Sequence, residues 1–229
     1  MSTSPRTFVI GDIHGCSMAL DNLISTCDPR DIDTFVFLGD YVDRGPDSAG
    51  VINSILQLIK RCHVIPLLGN HDWMLMAAEQ DKSIMDFWIQ HGGAETLESY
   101  GGSHRRIPAS HLAFFRHCQR FHETDDYFFV HANYQAELPL REVDDETLLW
   151  QHMVKRFPAP HVNGKTAIVG HTPQLDGLPK DHGHIKLLDT FCYGGQWLTA
   201  LELQQGQVYQ ANNTGDSREF PLAGSDDPI

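Results

Sequence analysis

Residues 8–15 read Phe8-Val9-Ile10-Gly11-Asp12-Ile13-His14-Gly15, and residues 35–45 repeat the design as Phe35-Val36-Phe37-Leu38-Gly39-Asp40-Tyr41-Val42-Asp43-Arg44-Gly45. In each, a short apolar run with strand character meets a glycine and then a carboxylate. Between them lies a helical pattern near 16–27, with Met18, Leu20, Leu23 and Ile24 as its apolar positions. A second helix is expected from a cap at Asp47 or Ser48 to about residue 61, with Val51, Ile52, Ile55, Leu56 and Ile59 in helical period. A strand over 62–68 then completes a βαβαβ unit, for which a parallel sheet with right-handed crossovers is the default. Pro66 makes a central place for that strand less secure, because proline cannot donate to a ladder.

Further along, residues 72–121 read as a mostly helical insert, broken by Gly92-Gly93 and Gly101-Gly102. Short strands follow at 126–131, 165–170, 184–188, 197–203 and 206–211, and are expected to form a mixed sheet packed against the first. Residues from about 213 to 229 read as a loose tail. The chain, 1–229, thus reads as one mixed α/β domain.

Bulk properties narrow the function. The first residues carry no long apolar segment, and no run of about 18 apolar residues occurs, so neither signal peptide nor membrane span is expected. Five cysteines, an odd number without close pairs, suit reduced thiols in the cytoplasm. A net charge of −13 disfavours general nucleic-acid binding and leaves room for bound cations.

Three more segments share the strand-end design: Gly69-Asn70-His71-Asp72, Val130-His131-Ala132 and Gly170-His171-Thr172. Asp12 and His14, two apart on an extended chain, point to one side and can grip one ion. Asp40 has two oxygens and can bridge two cations. Asn70 offers an amide oxygen, and His131 and His171 offer nitrogens. Mixed nitrogen and oxygen donors suit Mn, Fe, Zn or Ni, whereas calcium and magnesium prefer oxygen alone. Two such ions about 3.5–4 Å apart could hold a hydroxide and clamp a phosphoryl group for in-line attack.

Taken together, the five segments resemble the signature of the calcineurin-like metallophosphoesterases, specifically the phosphoprotein phosphatase family with its bacterial and phage members and the symmetrical diadenosine tetraphosphatases. The resemblance runs from residue 7 to about 203, through Leu188-Asp189-Thr190, Gly194-Gly195 and Leu198-Thr199-Ala200-Leu201. It implies two mixed β-sheets sandwiched between helices, with the metals at the strand C-terminal ends. By the same resemblance Asp12, His14 and Asp40 would hold one metal, and Asp40, Asn70, His131 and His171 the other, with manganese the expected ion. His71 would protonate the leaving oxygen, Asp43 would orient and charge it, and Arg44 would bind phosphate oxygens. The activity implied is hydrolysis of phosphoserine, phosphothreonine or phosphotyrosine in proteins. The alternative is hydrolysis of dinucleoside polyphosphates or other small phosphate esters, and a remote one is a silent metal-binding module.

Two departures bear on substrate. Many bacterial relatives carry an arginine two residues after the tryptophan of a Leu-Leu-Trp segment; here Leu148-Leu149-Trp150 leads to His152, which would bind phosphate in its place unless it is an ordinary helix-surface histidine. Lys155 or Arg156 could serve instead. The loop from Asp189 to Gly195 is one residue short of the usual pattern. Separately, the stretch from Ser99 to His122 holds four arginines, Arg105, Arg106, Arg116 and Arg120, and no acid. It reads either as a solvated helical face or as a border of the crevice that attracts anions.

Overall fold

Strand β1 (Thr7–Ile10) is buried on both faces, and that explains its unbroken apolar run. Side chains alternate along a strand, so the two faces serve two cores. Phe8 and Ile10, with Phe35 and Phe37 of β2 (Thr34–Phe37), pack against helices α1 (Ser17–Cys27) and α2 (Ser48–Leu58). Val9 and Val36 face the other way, onto Phe129 and Ile168 of a second sheet. The computed structural model describes residues 4–153 and 157–225.

Strand β3 (His63–Pro66) extends the parallel set beside β2 and lies at the sheet edge, with Pro66 as its last residue. After it come α3 (Asn70–Ala78), α4 (Lys82–Trp88), α5 (Ala94–Ser99) and α6 (Ala109–His117), as the helical reading of 72–121 anticipates. The chain kinks between α4 and α5 at His91 and Gly92. Strands β4 (Phe121–Glu123) and β5 (Tyr127–Val130), helix α7 (Asp145–Trp150), and strands β6 (Thr166–Val169), β7 (Lys180–Asp181) and β8 (Ile185–Leu187) follow. The chain ends with β9 (Leu198–Glu202), β10 (Gln207–Ala211) and β11 (Ser217–Pro221).

The later strands do not form one sheet. Strand β9 returns antiparallel to β1 and brings β10 and β11 with it, giving the order β11-β10-β9-β1-β2-β3. The second sheet, β4-β5-β6-β8-β7, contains only the middle strands. All five residues of β9 are buried, which a place inside the larger sheet supplies. Nor is the stretch after 213 a loose tail throughout: β11 pairs along its whole length with β10, and Arg218 lies over the rings of Trp197 and Phe220. Its alternating exposure is that of an edge strand with one wet face. No helix among the described residues is long and apolar enough to cross a membrane.

Candidate metal centre

The C-terminal ends of β1, β2, β5 and β6 point into one crevice, and the loops leaving them carry the chemistry. Unusual backbone geometry concentrates there. Of the seven non-glycine residues with positive φ, five are His14, Asp40, Asp43, Arg44 and His171. Such strain persists only where surrounding contacts over-determine it. The loops supply those contacts: the N–H groups of Ile13 and His14 donate to Asp40 O at 3.1 and 2.8 Å, and Gly15 N–H donates to Tyr41 O at 3.0 Å. The Asp72 carboxylate accepts from the N–H groups of Asp40, Tyr41 and Gly69 at 2.8, 3.0 and 2.9 Å. Only glycine fits at 69, since a Cβ there would lie 2.1 Å from Asp40 Oδ1. Asn70 and His71, read from sequence as a loop, form the first turn of α3.

Backbone carbonyls fix the orientation of three imidazoles. His14 Nδ1 donates to Val42 O at 2.9 Å, His131 Nδ1 to Leu38 O at 2.8 Å, and His171 Nε2 to Trp150 O at 3.0 Å. A carbonyl only accepts, so each facing nitrogen carries the proton and the other nitrogen presents a lone pair to the crevice. Burial lowers the pKa of all three, that of His171 to about 3 with His131 adding to the effect, so the neutral rings dominate at pH 7. His131 Nε2 lies 3.0 Å from Asn70 Oδ1, a lone pair facing an acceptor oxygen. The two oxygens of Asp40 lie 3.4 Å from His14 Nε2 and 3.5 Å from His131 Nε2. Two donor triads thus share Asp40: His14, Asp40 and His71, and Asp40, His131 and His171.

Asp12 stands just outside both triads. Its oxygens accept from the His171 backbone N–H at 3.1 Å each. Burial pushes its carboxyl well up, with the charges of Asp189 and Asp40 adding to the shift, and burial pushes Asp189 itself up to about 7. Crowded carboxylates, neutral imidazoles and an amide oxygen facing a lone pair together fit divalent cations, whose charge would offset the acids.

His71 contributes a second function to the same place. Its Nδ1 donates to Asp43 Oδ2 at 2.7 Å, which leaves Nε2 for the crevice. Asp43 is fully buried, and burial raises its pKa although hydrogen bonds oppose that. The opposing donors are His71 first and then, from the helical insert, Thr96 Oγ1 at 2.7 Å and Trp88 Nε1 at 3.0 and 2.8 Å. Gly92 lets the insert approach, its carbonyl accepting from Arg44 N–H at 3.1 Å. With φ of 112° and a Cβ that would meet Arg44 N at 2.8 Å, position 92 takes glycine alone. Trp88 and Thr96 escape sequence reading, because nothing local distinguishes them from ordinary helix residues, and Asp72 stands in the segment Gly69-Asn70-His71-Asp72 without an assigned role.

The crevice opens into a cleft of about 300 Å³ lined by Asp40, Arg44, Asn70, His71, His152 and His171, among others. Arg44 sits with its guanidinium carbon 4.7 Å from the centre of the Tyr193 ring, and Nη1 donates to His14 Nε2 at 3.0 Å. Tyr193 belongs to the shortened 189–195 loop. His152 is not a helix-surface residue, because α7 ends at Trp150; it stacks on His171 with ring centres 4.0 Å apart. Lys155 and Arg156 lie outside the described residues. The arginine-rich stretch does not line the cleft. Arg120 instead pairs with Asp145 at 2.5 Å, Arg106 donates to Gly101 O, and His104 donates to Leu75 O. Of the two readings of this stretch, these contacts support the solvated helical face.

Comparison with known proteins agrees with this geometry. A family model described as calcineurin-like phosphoesterase matches residues 5–201. The serine/threonine-protein phosphatase 1 of Salmonella typhimurium is 29% identical over 87% of this chain and 92% of its own. The asymmetrical bis(5′-nucleosyl)-tetraphosphatase PrpE of Oceanobacillus iheyensis is 28% identical, covering 86% of this chain and 88% of its own. Among solved structures, a cold-active protein-tyrosine phosphatase of a psychrophilic Shewanella superposes with a TM-score of 0.64 at 18% identity, covering 95% of this chain and 80% of that one.

Proposed function

Because the chain belongs to the calcineurin-like phosphoesterases, a family of hydrolases of phosphoric esters, we propose that it is a two-metal phosphatase acting on phosphoserine, phosphothreonine or phosphotyrosine in proteins. The observation that carries this reading is the His71–Asp43 pair, aimed into the cleft that Arg44 and both donor triads share.

In this reading Asp12, His14 and Asp40 hold one ion, and Asp40, Asn70, His131 and His171 the other. Manganese is our assignment, since imidazole, carboxylate and amide oxygen all suit it. When bound, the ions would polarise the phosphoryl group and acidify the attacking water. Arg44 binds equatorial phosphoryl oxygens through its planar fork, held at the cleft mouth by the face of Tyr193. His71 Nε2 gives its proton to the departing oxygen while Asp43 stabilises the charged ring. Trp88 and Thr96 keep Asp43 turned toward His71. His152 adds a donor to phosphate from the rim. The cleft's aromatic and polar walls limit access of bulk water around these groups. Five free cysteines, four of them buried, suit the cytoplasm.

One observation supports a second reading, hydrolysis of dinucleoside polyphosphates: relatives of both activities are alike at similar identity. The test is a metal-stripped protein reloaded with Mn, Fe, Zn or Ni and assayed on p-nitrophenyl phosphate, phosphopeptides and diadenosine tetraphosphate. We expect chelation to abolish turnover, manganese to restore it most fully, and phosphopeptides to give the higher kcat/KM. Faster cleavage of the dinucleotide would transfer the assignment to the second reading. Absence of hydrolysis with every metal would leave a silent metal-binding module.

A further inference from the structure

The phosphate cleft is the middle of a longer trough. On one side it shares Phe87 and Trp150 with a hollow of about 410 Å³ also lined by Trp73, Asp145 and Glu146. On the other it shares Arg44 with a hollow of about 410 Å³ lined by Pro46, Glu95, Glu98 and Ser99. Three properties of the trough bear on what it holds.

With a hollow on either side, the cleft has room for groups that flank a phosphoryl group in both directions. Its first flank is aromatic and open. Trp73 is 36% exposed and Phe87 46% exposed, both large apolar side chains left facing solvent beside a polar site. The Trp73 and Trp150 rings meet edge to face at 6.0 Å, so they form a fixed ledge rather than loose surface groups. Finally, both flanks carry carboxylates. Asp145 is engaged by Arg120, but Glu146, Glu95 and Glu98 pair with no cation among the described residues. A polyphosphate leaving the cleft in either direction would run along these acids. Aromatic faces and carboxylates together are the surroundings that a guanidinium or ammonium group selects.

We propose that the trough selects phosphopeptides with a basic side chain next to the phosphorylated residue, the cation lying across Trp73 and Phe87 and reaching Glu146. This rests on the protein-substrate reading above and adds the sequence context of the substrate. None of Trp73, Asp145 and Glu146 lines the phosphate cleft, so these residues set preference without touching the reacting atoms.

The experiment compares alanine-based phosphoserine peptides carrying arginine, alanine or glutamate at each of the two positions before and after the phosphoserine. We expect arginine on one side to raise kcat/KM about tenfold over alanine, and glutamate to lower it. Glu146→Gln and Trp73→Ala should each erase most of that preference while turning over p-nitrophenyl phosphate within about twofold of the parent. Peptides hydrolysed at equal rates whatever their flanking charge would overturn this proposal and leave the protein-phosphatase reading intact. A preference that survives in both variants would overturn it as well. Peptides that are not hydrolysed at all, beside rapid cleavage of diadenosine tetraphosphate, would overturn the underlying reading instead.

Discussion

The two ends of β2 carry two buried aspartates with opposite fates. Asp33, just before the strand, accepts from Arg6 Nη2 at 2.6 Å and Arg30 Nη2 at 2.7 Å, and from both residues' backbone N–H groups. Asp40, beyond the other end, is surrounded by imidazoles. Guanidinium is always charged, so the two arginines more than balance the Asp33 carboxylate within the chain. Burial favours the neutral rings of His14, His131 and His171, so these three neighbours do not balance the Asp40 charge. One residue type at equal burial is thus structural at one end and open to a cation at the other, and the partner decides.

The comparison is broken most sharply by making one substitution at both ends. Asp40→Asn should lower kcat/KM on p-nitrophenyl phosphate by about a thousandfold or more, with the far-ultraviolet circular dichroism of the parent retained. Asp33→Asn should leave turnover within about twofold. Similar activity in the two variants would sink the distinction. Next in size, His71→Asn should reduce kcat by roughly a hundredfold or more while the protein still binds manganese by calorimetry, because the proposed roles make His71 the proton donor and leave the ions to Asp12, His14, Asp40, Asn70, His131 and His171. Trp88→Phe keeps a smaller aromatic ring in the core and removes one donor to Asp43. Turnover about tenfold lower, with an altered pH–rate profile, is expected; an unchanged profile would show that Thr96 alone positions Asp43.

The smallest effects concern stability at the Asp33 end. Asp33→Asn should cost about 2 kcal/mol at pH 7 by urea unfolding, since two arginines lose a buried partner but remain partly solvated. Its pH dependence has a definite sign. Burial opposes the charged form of Asp33, but the hydrogen bonds of Arg30 and Arg6 outweigh it and hold the carboxyl well below the usual carboxylate range. Below about pH 4 the unfolded chain therefore binds the proton that the folded chain refuses. The contribution is complete above that pH and is lost as pH falls through the folded value. Between pH 5 and 3 the parent should lose more stability than Asp33→Asn, measured as the difference in urea midpoints. Parallel acid limbs would mean that the cluster adds nothing.

Much of the first sheet is legible along the chain, because β1 and β2 are buried on both faces and so read as continuous apolar runs. Asp12, His14, Asp40, Asn70, His71, His131 and His171 are legible for a related reason. Each follows a strand, and all but His131 lie within two residues of a glycine. The destination of β9 to β11 is not legible, since a strand's apolar pattern says that it is buried and not beside which strand. Nor does local pattern reveal β11, whose alternation spans only five residues after a run of turn formers.

What the sequence alone determines is which candidate donors and which candidate acid–base pair stand at the strand ends, since strand-end spacing is a local property that the turns enforce. Tertiary structure decides what holds and surrounds them. Trp88 and Thr96 reach Asp43 from 45 and 53 residues away. Arg120 pairs with the Asp145 carboxylate and not with a substrate anion. Trp73 and Glu146 meet beside the cleft only because α3 and α7 come to flank it. Such contacts depend on how elements pack against one another, and packing is set by the whole apolar interior and not by any short run of residues.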